Sequence, residues 1–106
     1  MKLLFSAAIL AMTCLSVSAI SVDAGPISSA CNKSDRKAAT RSMCRCLQSV
    51  ANSELSRTDQ KLAASFFKDP HKAQVMRQSD RRSHEKFWLR YKDYGQTAAS
   101  VCSQRS

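Results

Sequence analysis

Apolar residues recur at spacings of three and four along most of the chain, and no segment alternates long enough to make a strand. Four helices follow from that pattern. The first covers 35–54, capped by Ser34 with Asp35 in its first turn; Thr40, Met43, Leu47, Val50, Ala51 and Glu54 share its inner face. The second covers 57–68. It opens on Ser56-Arg57-Thr58-Asp59, a relative of the capping box, and carries Leu62, Ala63, Phe66 and Phe67 as a wide apolar stripe. Pro70 behind an Asp69 cap starts the third, 70–78, with Ala73 and Met76 inward. Ser79-Asp80 caps the fourth, 81–101, where Phe87, Tyr91, Tyr94, Ala98, Val101 and Cys102 lie together and Gly95 could kink or end the helix early. The expected fold is all-α, a small disulfide-stapled bundle of three to four helices.

The N-terminus has another character. Met1-Lys2 is followed by an uncharged apolar run over 3–15 and then by small residues, the layout of a secretory signal peptide. Cleavage fits after Ala24, or after Ala19. A retained membrane anchor is the alternative, but the run is shorter than the roughly 20 residues a spanning helix needs; a lipid-modified Cys14 is another. The organisation expected is therefore a signal peptide over 1–24, a flexible polar arm over 25–34 and a helical domain over 35–106. The product belongs in the periplasm or outside the cell.

With 106 residues the chain makes one domain, and only two glycines and two prolines argue against a fold of many hairpins. There are five cysteines, of which Cys14 lies in the leader. Cys31, Cys44, Cys46 and Cys102 remain, and an even number in a short exported chain reads as two disulfides. A zinc site drawn from Cys44-Arg45-Cys46 with His71 or His84 is the competing reading, but zinc ribbons use Cys-x-x-Cys turns. Residues 44 and 46 stand about 200° apart on a helix, so they do not bond to each other. If Leu47 is the centre of the buried face, the pairing leans to Cys44–Cys102 and Cys31–Cys46.

Charge changes the picture most. Lys and Arg number 17 against 8 acids, a net charge of +9, and removing Lys2 and Asp23 with the leader leaves it unchanged. Such a surplus suits an anionic envelope lipid or an envelope protein. Arg81, Arg82, Lys86, Arg90 and Lys92 form the candidate anionic-partner surface, with Trp88 on its flank to stack or insert. The plainer account is a cationic exterior spread over every helix, as Lys33, Arg36, Lys37, Arg41 and Arg45 suggest for the first one. Nucleic acid is disfavoured, because its binders concentrate charge in one stripe. The aromatic cluster Phe87, Trp88, Tyr91, Tyr94 invites a ligand pocket, but at helical spacing it reads first as core.

Catalysis finds little support. Ser83-His84-Glu85 are consecutive and fan out by about 100° each, and no nucleophile elbow, His-Glu-x-x-His or phosphate loop occurs. No cofactor is implied, and an enzyme is not expected. Asp80 is the candidate cation-binding acid: on the inner side of a continuous third and fourth helix it would accept a cationic ligand or pair with Arg77, and otherwise it is a helix cap.

Phe66-Phe67-Lys68-Asp69-Pro70-His71, Ala73-Gln74, Arg77-Gln78-Ser79-Asp80 and Phe87-Trp88-x-Arg90-Tyr91-Lys92, with the Cys-x-Cys pair and the final cysteine, resemble a group of small exported alphaproteobacterial proteins often labelled "arginine transporter" by transfer. The resemblance covers most of 28–102 and brings no functional residues with it. It implies a role in amino-acid uptake. Without a spanning segment in the exported chain, that role narrows to an accessory component. Direct capture of arginine needs carboxylates, which a +9 chain has few of. The function expected is thus a non-enzymatic binding or accessory module meeting anionic envelope partners. The alternatives are the uptake accessory and a disulfide-stabilised interaction protein with no small ligand.

Overall fold

The computed structural model describes residues 25–103, all-α with no strand among them. The signal peptide expected over 1–24 lies outside the described residues. Five helices follow in order: α1 (Pro26–Lys33), α2 (Arg41–Glu54), α3 (Arg57–Lys68), α4 (Pro70–Arg77) and α5 (Arg82–Cys102). α1 packs on both α2 and α3, α5 runs against α2, and α4 links α3 to α5.

The flexible arm expected over 25–34 is instead α1. Gly25 sits at its N-cap and Pro26 at its first position, where a missing N–H costs nothing. Ile27, Ser28 and Cys31 are buried. An eight-residue helix is not stable alone, so its packing against α2 and α3 holds it. Ser34 ends it by donating its hydroxyl to the Cys31 carbonyl at 2.8 Å.

The first predicted helix therefore starts later than residue 35. Thr40 is its true cap, accepting from the Met43 N–H at 3.1 Å. Its buried residues are Cys44, Gln48, Val50 and Ala51, with Met43 and Leu47 only half-buried. The inner face is turned toward Cys44 because α1 covers that side.

That rotation corrects the disulfide pairing. The bonds are Cys31–Cys44 and Cys46–Cys102, with Cα separations of 5.5 and 5.8 Å. Both separations suit the geometry of the bond. Cys44 faces α1 and Cys46 faces the end of α5, the reverse of the pairing that a Leu47-centred face implies.

The later helices start close to where the pattern puts them, but Val101, expected on the inner face of the last helix, is exposed. Ser56 caps α3 by accepting from the Asp59 N–H at 3.1 Å. Asp69 occupies the cap position of α4, but its side chain makes no capping bond. Before α5, Ser79 alone acts: its hydroxyl accepts from the Arg81 N–H at 3.3 Å. α5 continues through Gly95 for 21 residues. A mid-helix glycine costs about 1 kcal/mol, which the burial of Tyr94, Ala98 and Cys102 on either side offsets.

Ile27, Val50, Leu55, Phe66, Phe87 and Tyr94 anchor the core. Phe66 meets Phe87 and Tyr91 edge-on, at centroid distances of 6.0 and 5.2 Å. Beside this apolar centre is a buried amide cluster. Gln48 Oε1 accepts from the Ser28 N–H at 3.0 Å, and its Nε2 donates to Gln60 Oε1 at 2.8 Å. Gln60 in turn donates to the Leu55 carbonyl at 3.1 Å. No buried side-chain polar atom among the described residues lacks a partner.

Candidate functional site

α5 does not present the six expected residues as one surface. Arg82, Lys86 and Arg90 follow each other at intervals of four along one side, while Trp88 and Lys92 lie roughly 80° or more around the axis from them. Glu85 and Asp93, both exposed, interrupt the outward face. Arg90 is taken up by Asp59, with Nε–Oδ2 at 2.6 Å and Nη2–Oδ1 at 3.1 Å. That fork ties the first turn of α3 to α5 and raises the Arg90 pKa further, first through the hydrogen bond. Trp88 leans on Tyr91 at 5.3 Å between ring centroids and is half-buried. Arg81, Arg82, Lys86 and Lys92 remain exposed and form no ion pair with a described carboxylate.

Asp80 is exposed in the link between α4 and α5. The two helices are not continuous, so it does not reach the inner side, and the N-cap of α5 is Arg81. Nearby, Ser79 Oγ and His84 Nδ1 are 2.7 Å apart. The same Ser79 oxygen caps the Arg81 N–H, and no acid among the described residues is bonded to His84. The pair closes the turn into α5. No group of three His, Cys, Asp or Glu among the described residues could hold a metal ion.

The structure assembles a different cationic region, around Phe67 at the end of α3. Three surface hollows share this ring. The first, about 530 Å³ between α1 and α3, is lined by Pro26, Ala30 and Ala64 with Lys33 and Lys68. The second, about 470 Å³, lies between α2, α3 and α5 over Met43, Leu47, Tyr91 and Ala98, with Arg36 beside it. The third, about 240 Å³, sits under the 34–40 link and shares Arg36, Met43, Leu47 and Phe67 with the second.

Arg36 stands over the Phe67 ring, 5.5 Å from its centroid, within cation–π range. Its charge reaches the floor of the groove. Burial raises the Tyr91 phenol pKa, and Arg36 lowers it in part. Burial pushes the Tyr94 phenol well above the usual tyrosine value, with Tyr91 and Glu54 adding to the rise.

The basic residues of this region were visible along the chain, but their convergence was not. Lys33 lies on α1, Arg36 on the link and Lys68 on α3, and the α1–α3 packing brings Lys33 and Lys68 to one hollow beside the ring that Arg36 covers. An i, i+3, i+4 search along a single helix has no means of finding it. Among the described residues no helix is long and apolar enough to cross a membrane. Comparison with family models, curated proteins and solved structures returns no match.

Proposed function

We propose that this is an exported, non-enzymatic binding module that meets anionic lipid of the cell envelope through a cationic surface. One observation carries the reading: Arg36 stands over the half-buried ring of Phe67, and Lys33 and Lys68 line the apolar-walled hollow that shares that ring. Cations on a stage of apolar and aromatic surface suit a partner that offers acidic heads and hydrocarbon together. None of these three cations forms an ion pair with a described carboxylate. The two disulfides support an oxidising compartment, and the leader expected over 1–24 supports export.

The test is flotation with vesicles. Protein should be retained on phosphatidylglycerol-containing vesicles at low ionic strength, released as salt is raised, and not retained on purely zwitterionic ones. Absence of retention even at low salt would overturn the reading.

A further inference from the structure

We infer that the groove between α2, α3 and α5 is a binding site for a single-chain anionic amphiphile, its alkyl chain along the groove and its acidic head at Arg36. This inference rests on the reading of the protein as a binder of anionic partners, and it names a ligand class and a place for it.

The groove has the size of a ligand pocket, about 470 Å³, within the roughly 300–1,000 Å³ such sites occupy. Its walls are Met43, Leu47, Phe67, Tyr91 and Ala98, hydrocarbon and ring faces that suit an alkyl chain. Among the described residues, Arg36 is the one cation that lines it, and no carboxylate does. A purely cationic head meets no counter-charge among the described lining residues, while a carboxylate meets a guanidinium fork. The third hollow, beneath the 34–40 link, shares Arg36 and lengthens the apolar path past it.

Gly95 matters to the same groove. It lines the wall, and a Cβ built on it meets nothing within 4 Å. A side chain at 95 therefore enters open space without disturbing the helix. Leucine at 95 adds bulk at the edge of the groove, which gives a variant expected to obstruct it and still fold.

The experiment uses the exported chain and dodecanoate below its micelle-forming concentration, read by the emission of Trp88. That residue is the only tryptophan of the sequence, and its ring is 5.3 Å from Tyr91 on the groove wall. Dodecanoate should shift the emission saturably, and dodecyltrimethylammonium should not. Arg36→Gln should weaken dodecanoate by about tenfold and leave dodecanol unchanged. Gly95→Leu should abolish binding of both, with helical circular dichroism intact.

Equal binding of the cationic amphiphile, or full binding by Gly95→Leu, would overturn the assignment. So would the lack of any saturable shift with dodecanoate. Vesicle retention measured in parallel separates the two readings. Retention without dodecanoate binding removes the groove ligand and leaves the surface role, whereas loss of both removes the surface role as well.

Discussion

The Tyr94 hydroxyl donates to the Leu47 carbonyl at 2.8 Å, joining α5 to α2 across 47 residues of sequence. The carbonyl belongs to the residue next to Cys46, whose sulfur is bonded to Cys102. A hydrogen bond and a covalent bond thus clamp the same pair of helices. Between them they fix one wall of the groove that Arg36 overlooks.

Tyr94→Phe should lower stability by about 1 kcal/mol, the net worth of a typical hydrogen bond, measured by urea denaturation. It should also change the alkaline limb. Burial raises the Tyr94 phenol pKa above its unfolded value near 10. The folded state therefore keeps its proton where the unfolded state loses it. The contribution is fully present below about pH 10 and is lost as pH rises from there toward the raised folded value. The wild type should lose stability above about pH 10, and Tyr94→Phe should lose less.

The disulfides should contribute unequally. Cys46–Cys102 closes a loop of 56 residues and Cys31–Cys44 one of 13. Loop-closure entropy gives about 4 and about 3 kcal/mol respectively. Paired Cys→Ala variants should follow that order in denaturant midpoint. Loss of Cys31–Cys44 should in addition free α1, seen as faster amide exchange at Ile27 and Ser28.

Gln48 holds three segments through its one amide. Gln48→Met keeps the volume but leaves the Ser28 N–H and the Gln60 Oε1 without that partner. A buried polar group that loses a hydrogen bond costs about 1–3 kcal/mol. The variant should be destabilised by about 3 kcal/mol, by the same measurement. Gly25→Ala should also destabilise, because a Cβ there overlaps the Gln48 amide.

Charge removal should distinguish the two cationic regions. Lys33→Gln with Lys68→Gln removes both cations of the α1–α3 hollow. The double variant should lower retention on anionic vesicles and flatten its salt dependence. Arg90→Gln should change retention less, because Asp59 already neutralises that guanidinium. An Arg90 effect as large as that of the double variant would place the contact on α5.

Local rules decided much of this fold. Ser56 and Pro70 set the starts of α3 and α4, since capping and a proline at the first helical turn act within a few residues. The threefold and fourfold spacing of Phe66, Phe87, Tyr91 and Tyr94 marked the core stripe of α3 and α5 for the same reason. The even set of cysteines marked two bonds.

Contacts between elements decided the rest. Residues 25–34 look polar by composition, yet Ile27, Ser28 and Cys31 become a buried face once α2 and α3 lie over them. That packing turns Cys44 inward and selects the disulfide pairing, a choice made by distance in space that spacing along the chain does not encode. Likewise, the excess of positive charge is plain in the amino-acid list. The meeting of Lys33 with Lys68 in one hollow beside Phe67 exists only because α1 folds back onto α3.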